Sequence, residues 1–235
     1  MKRISFLLLF ILLLVTNIQA QNARTAKDYV KRGIARFSQG DLEGAIANYE
    51  KAIEVNPRFA EAFFHRGKAR RAKGDLNGAI ADYETSIELD PRLAENNRDI
   101  ASAYYNRGFI RTNGLEIYEA LADFDQAIRF NPRHVDSFIK RGEAHLILGD
   151  FKKAVADFNN SLELNPNQYA ASLAYAGRGF ARLLQGDEAS AEKDFAECVK
   201  LNSEGKFFLE LHIKLLEAQM KEVRRRRNIT PERVA

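Results

Sequence analysis

Cysteine occurs once in 235 residues, at Cys198, so no disulfide can form within the chain and packing alone must hold the fold. A lone thiol also adds little to His65, His134, His145 and His212, which have no metal-ligand spacing. No cofactor and no metal are expected. Gly-rich phosphate loops and nucleophile motifs are missing too, which argues against an enzyme. Charge of one sign is scarce: 36 basic residues face 32 acidic ones, and Lys2 and Arg3 supply part of that excess. Most of the remainder lies in Lys221, Arg224, Arg225, Arg226, Arg227 and Arg233, so the body of the chain is slightly acidic and no nucleic-acid partner is expected.

Long apolar runs are confined to the amino-terminal end. Lys2 and Arg3 precede residues 4–15, apolar except for Ser5, and a polar stretch then closes on Ala20. This is the three-part plan of a signal peptide over residues 1–20, with cleavage expected after Ala20 and a secreted, periplasmic or cell-envelope location. The alternative keeps residues 4–15 as a membrane anchor. Twelve helical residues reach about 18 Å against roughly 30 Å of hydrocarbon, which favours cleavage.

What the chain does have is repetition. Pro57, Pro91, Pro132 and Pro166 stand 34, 41 and 34 residues apart, each after Asn or Asp. Upstream of them recur the pairs Arg32-Gly33, Arg66-Gly67, Arg107-Gly108 and Arg141-Gly142, with a fifth at Arg178-Gly179. Twelve residues beyond each glycine is an alanine (Ala45, Ala79, Ala120, Ala154, Ala191), and four further on an aromatic (Tyr49, Tyr83, Phe124, Phe158, Phe195). The turns Gly40-Asp41, Gly74-Asp75, Gly149-Asp150 and Gly186-Asp187 put glycine where a helix ends left-handed and aspartate where the next is capped. Glycine and alanine permit close helix approach, the aromatic fills the space between, and proline stops the second helix.

These residues resemble the tetratricopeptide repeat (TPR) family of helix–turn–helix units. The resemblance implies an all-α fold: a right-handed superhelical solenoid of five hairpins over residues 26–59, 60–93, 94–134, 135–168 and 169–203. A capping helix at 204–227, expected to cover the exposed apolar surface of the last hairpin, and a tail at 228–235 complete it. The family's large aromatic early in each first helix is matched by Tyr29, Phe63, Tyr104, Phe138 and Tyr175. Departures are the Arg of each Arg-Gly pair, and Arg36, Arg70, Arg111 and Arg182, where the family more often has Leu and Tyr.

Sixteen residues after Arg66, Arg107, Arg141 and Arg178 stand Asp82, Asp123, Asp157 and Asp194, with Asn48 in the first unit. Folding each hairpin at its turn brings such residues level, so arginine–carboxylate contacts are expected. The third unit carries seven extra residues between Pro91 and Tyr104, close to two helical turns, which can lengthen its first helix, and its turn is altered to Gly114-Leu115-Glu116. The fifth carries about three extra around residues 168–172.

The resemblance further implies a non-catalytic scaffold whose first helices line a concave groove for a peptide or helix of another protein. The matching positions are Phe64, Lys68, Tyr105, Phe109, Ile139, Glu143 and Phe180. Membrane contact is expected only through an uncleaved leader or the Arg224, Arg225, Arg226 and Arg227 run. Ile34 stands where a carboxylate clamp would need Asn, so a clamp of that kind is not expected.

Overall fold

A computed structural model describes residues 2–95, 97–202 and 204–227. The tail expected at 228–235 lies outside the described residues. Among the described residues eleven α-helices follow one another: α1 (Lys2–Ser38), α2 (Leu42–Val55), α3 (Ala60–Lys73), α4 (Leu76–Leu89), α5 (Arg98–Asn113), α6 (Ile117–Phe130), α7 (Val135–Leu148), α8 (Phe151–Glu163), α9 (Gln168–Leu184), α10 (Glu188–Leu201) and α11 (Gly205–Arg227). Among the described residues there is no strand. The first ten helices pair as five consecutive hairpins, and the fold is an all-α solenoid. Two compact units divide it, residues 1–103 and 104–235.

The turns form for the reasons read from the sequence. Gly40, Gly74, Gly149 and Gly186 take φ between +80° and +90°, a region costly for any residue with a Cβ. Asp41 and Asp75 accept from the Gly44 and Gly78 amides, 2.9 Å each, and Asp187 accepts from that of Ser190 at 3.2 Å. Asp150 differs: it stands at the cap position, but its carboxylate accepts from Lys153 Nζ at 3.2 Å. In the third hairpin Leu115, seven residues past Gly108 as Gly74 is past Gly67, takes the left-handed place at φ +63°. Its side chain packs against the core, which offsets the strain.

Each repeat glycine is where a second-helix aromatic presses on a first-helix backbone. A Cβ added to Gly67 would stand 2.9 Å from the Tyr83 ring, and one at Gly108 2.8 Å from the Phe124 ring. Both rings are fully buried, and such a side chain contributes about 1.5–3 kcal/mol.

The expected arginine–aspartate contacts are present, with more partners than the sixteen-residue spacing suggested. Arg66 forks onto Asp82 through Nε at 2.9 Å and Nη2 at 2.7 Å, while Arg70 Nη1 reaches the same carboxylate at 2.9 Å. Arg107 and Arg111 converge likewise on Asp123, and Arg178 and Arg182 on Asp194. In the fourth hairpin Arg141 holds Asp157 at 2.6 Å, and His145, in the place of the second arginine, lies 3.9 Å from it. Each shared aspartate is almost wholly buried. Two of the arginines also reach back one hairpin: Arg141 Nη1 donates to Asp125, and Arg178 Nη1 to Asn159. The large aromatic three residues before each lies under the guanidinium, Phe138 at 5.5 Å and Tyr175 at 5.2 Å.

Two expectations are met only in part. The extra residues of the third unit lengthen its first helix at the start, but by less than the two turns available. Pro91–Ala94 makes a short 3-10 turn started by the Asp90 side chain, and α5 begins only three residues earlier, relative to its glycine, than α3 does. Proline has no amide to donate to a continuing helix, so the chain breaks there first. The leader expected over residues 1–20 forms the start of α1, which runs on past Ala20, and the side chains of residues 2–13, 17, 19, 20 and 23 lie outside the described residues. No helix among the described residues is long and apolar enough to cross a membrane. Likewise, α11 does more than close the last hairpin. It touches α10, but it also lies on α7 and α9, the first helices of the fourth and fifth hairpins.

Candidate functional site

The first helices of hairpins three to five bring one aromatic wall together. Tyr105 on α5 packs on Phe109 one turn along and on the buried Phe124, with ring centroids 6.4 and 6.1 Å away, and on His134 at 5.1 Å. Tyr105 is half-buried and Phe109 is 41% exposed. Across from them α7 presents Asp136, Ile139, Lys140 and Glu143. The far wall is α11, through Phe208, Leu211, His212 and Leu215, joined at one end by Tyr169 of α9. Between these walls lies a cleft of about 680 Å³. Leu211 and Leu215 are more than half exposed, and so is Tyr169.

Polar side chains alternate with the apolar ones in this cleft: Thr112, Asn113, Asp136, Lys140, Glu143, Asn167, His212 and Gln219 all line it. Lys140 Nζ donates to Glu143 Oε2 at 2.8 Å and sits 5.7 Å over the Phe109 ring. Glu143 Oε1 is buried without a hydrogen bond, 3.7 Å from His212 Nε2, which is also unbonded. Burial lowers the His212 imidazole below its ordinary 6.5, with Lys140 adding to the effect and Glu143 opposing it, so the ring is neutral at pH 7. Burial, followed by the charges of Asp136 and Glu143, pushes the Tyr105 phenol up to about 12. Asp136 is exposed at the mouth.

The seven positions expected to line one groove therefore have several fates. Tyr105, Phe109, Ile139 and Glu143 meet in the cleft, with Lys140 beside them. Ile139 and Phe180 are buried in the core that includes Leu216 and Met220 of α11, so α11 covers them. Glu143 is buried as well. A repeat pattern specifies which face points inward but not whether the chain's own end will lie on it. In the second hairpin Phe64 packs on Tyr83 and His65, with centroids 5.5 and 5.7 Å away. Lys68 is tied to Asp99 at 3.0 Å, beside the Arg71–Asp99 pair at 2.8 Å.

Tyr169, Phe208, Leu211 and Leu215 were missed. Tyr169 had a signal, since it sits in the extra residues that open the fifth unit. The α11 residues had none beyond an apolar face too broad for one contact. Cys198 is buried, and burial pushes its thiol up to about 11, which keeps it protonated. Among the described residues no group of three or more His, Cys, Asp or Glu could hold a metal ion.

The profile described as TPR repeat matches residues 33–70 and 67–111, and that described as tetratricopeptide repeat matches residues 135–168. The chain is a tetratricopeptide repeat protein. A curated relative, the Protein SGT1 homolog of Bos taurus, is 39% identical over 66 residues, 28% of this TPR chain. The match spans only 19% of that relative's length. Among solved structures, MamA superposes with a TM-score of 0.57 at 25% identity, over 75% of this chain and 91% of its own. YrrB, described as a TPR protein with an unusual peptide-binding site, gives 0.60 at 19% identity, over 85% and 96%. At that identity the YrrB likeness speaks to the TPR fold alone.

Proposed function

We propose that this TPR chain is a non-catalytic interaction module that holds a peptide or helical segment of a partner protein in the cleft formed by α5, α7, α9 and α11. The observation that carries the reading is the cleft itself, with Phe109, Tyr169, Leu211 and Leu215 left largely exposed around it. Apolar side chains gathered in this way mark an interaction site more often than a bare surface. Its volume falls in the range that takes a few side chains of a ligand. Burying two anchors there removes roughly 200–300 Å² of apolar surface from water, about 5–8 kcal/mol before ordering costs, which suits reversible micromolar binding.

The cleft is tested by crosslinking and pull-down of the full-length protein with Tyr105→Ala, Phe109→Ala and Leu211→Ala. Partners lost in these variants support the assignment, and an unchanged partner set sinks it.

Export to the periplasm or cell exterior is part of the same proposal. It is supported by Lys2 and Arg3, the apolar residues 4–15 and the small Ala20. Mass analysis of the purified protein's amino terminus decides it. A start at Gln21 is expected, whereas an intact residue 1 in an exported fraction points to a retained anchor.

A further inference from the structure

The seat of α11 fits that helix in shape but not in polarity. Leu209, Ile213, Leu216, Met220 and Val223 recur at alternating gaps of four and three residues, a continuous seam along one side of the helix. Leu216, Met220 and Val223 share a core with Ile139, Ala144, Phe180 and Ala181, and Leu209 packs with Ala176 and Cys198. Into this apolar contact the chain brings two polar atoms that bond to nothing, Glu143 Oε1 and His212 Nε2. Their side chains are only 6% and 10% exposed, and 3.7 Å between the atoms is too long for a hydrogen bond. Lys140 serves the other carboxylate oxygen alone. A buried acceptor left unbonded weakens the docking of whatever covers it.

We propose that α11 is a displaceable resident of a helix-binding seat on α7 and α9. The seat's ligand in trans is a partner's amphipathic helix with the same four–three apolar seam and a lysine or arginine at the place of His212. This rests on the reading that the first-helix face receives a partner segment. A long basic side chain carries its donor to Glu143 Oε1, where the neutral imidazole stops short, and supplies the positive charge that Asp136 and Glu143 together leave unmatched by Lys140. The seam supplies affinity, and the basic residue supplies the discrimination between partner and resident.

The experiment uses two fluorescein-labelled peptides spanning residues 205–227, one native and one with His212→Lys. They are titrated by anisotropy into the full chain carrying Leu216→Asp and Met220→Asp, which unseat its own α11. The His212→Lys peptide is expected to bind about tenfold tighter than the native one, the factor a newly satisfied buried acceptor supplies. That preference is expected to vanish when Glu143→Gln is added. Equal binding of the two peptides, or a preference that survives Glu143→Gln, overturns the proposal. Should circular dichroism show the unseated chain unfolded, the same pairing is read in cis. There His212→Lys in the otherwise native chain is expected to raise hydrogen-exchange protection of α11 about tenfold, and not to do so beside Glu143→Gln. Unchanged or lower protection overturns it. A partner lost from the cleft variants with neither peptide binding overturns this inference alone; failure of both experiments overturns the underlying reading.

Discussion

A single carboxylate in each of hairpins two to five anchors the guanidinium of the Arg-Gly pair, and in hairpins two, three and five it anchors a second arginine as well. Asp123→Ala is expected to remove the buried carboxylate that Arg107 and Arg111 share and to cost about 3–5 kcal/mol in chemical denaturation. Asp125, more than half exposed and bonded to Arg141, is the control: Asp125→Ala should cost no more than about 1 kcal/mol. The turns give a second residue-scale expectation. A Cβ on Gly149 meets nothing within 4 Å, so Gly149→Ala should cost only the left-handed strain, about 1–2 kcal/mol by thermal or chemical unfolding.

Among the elements, α11 has two sides that separate stability from binding. Leu216 is fully buried, and Leu216→Ala is expected to destabilise by about 2–5 kcal/mol. Leu215 is 57% exposed on the cleft side, so Leu215→Ala should change stability by less than about 0.5 kcal/mol while weakening partner capture. The docking of α11 should also depend on pH. Burial holds His212 below its ordinary 6.5, with Lys140 and Glu143 of α7 acting in opposite directions, so the undocked helix binds the proton more readily. Docking is therefore strongest above about pH 6.5 and is lost as pH falls through the lower, docked value. Amide exchange of α11 at pH 7.5 and pH 5 measures this, and His212→Gln should flatten the α11 response. His65, His134 and His145 are lowered by burial too and will tilt overall stability the same way, so the comparison must be made on α11 itself.

The ten repeat helices, four of the five turns and the main ion pairs were legible because each rests on local spacing: a glycine and aspartate at a bend, an arginine and aspartate level across it. The second arginine of each cluster was visible only as a departure from the family pattern. Its partner was hidden because one carboxylate can serve two donors, which spacing from a single arginine does not reveal. The seat of α11 was not legible at all. Its seam shows that one face must be buried, but α7, α9 and α10 all offer apolar surface, and only packing selects among them.

For the whole molecule, binding capacity is uneven along the chain. The candidate contact residues of the second hairpin are taken up by other side chains of the chain, Phe64 by Tyr83 and Lys68 by Asp99, and the later hairpins keep an open cleft. Phe64→Ala should therefore cost about 1–3 kcal/mol of stability, because Phe64 packs on Tyr83, yet leave partner capture intact. Tyr105→Ala and Phe109→Ala together should do the reverse for capture, read in the same pull-down.

The reach of Arg141 has one more consequence. Its donors contact α8 of its own hairpin and Asp125 of the hairpin before, and Arg178 repeats the gesture toward Asn159. Each arginine lies sixteen residues before its own hairpin's aspartate and sixteen (Arg141) or nineteen (Arg178) after the acceptor behind it, the difference matching the extra residues of the fifth unit, so copying one unit in tandem copies the joint that fixes it to its neighbour. An array of this kind can grow by gene duplication without inventing a new junction, and the first unit, with Asn48 where the others have aspartate, is the one least suited to being copied into the middle.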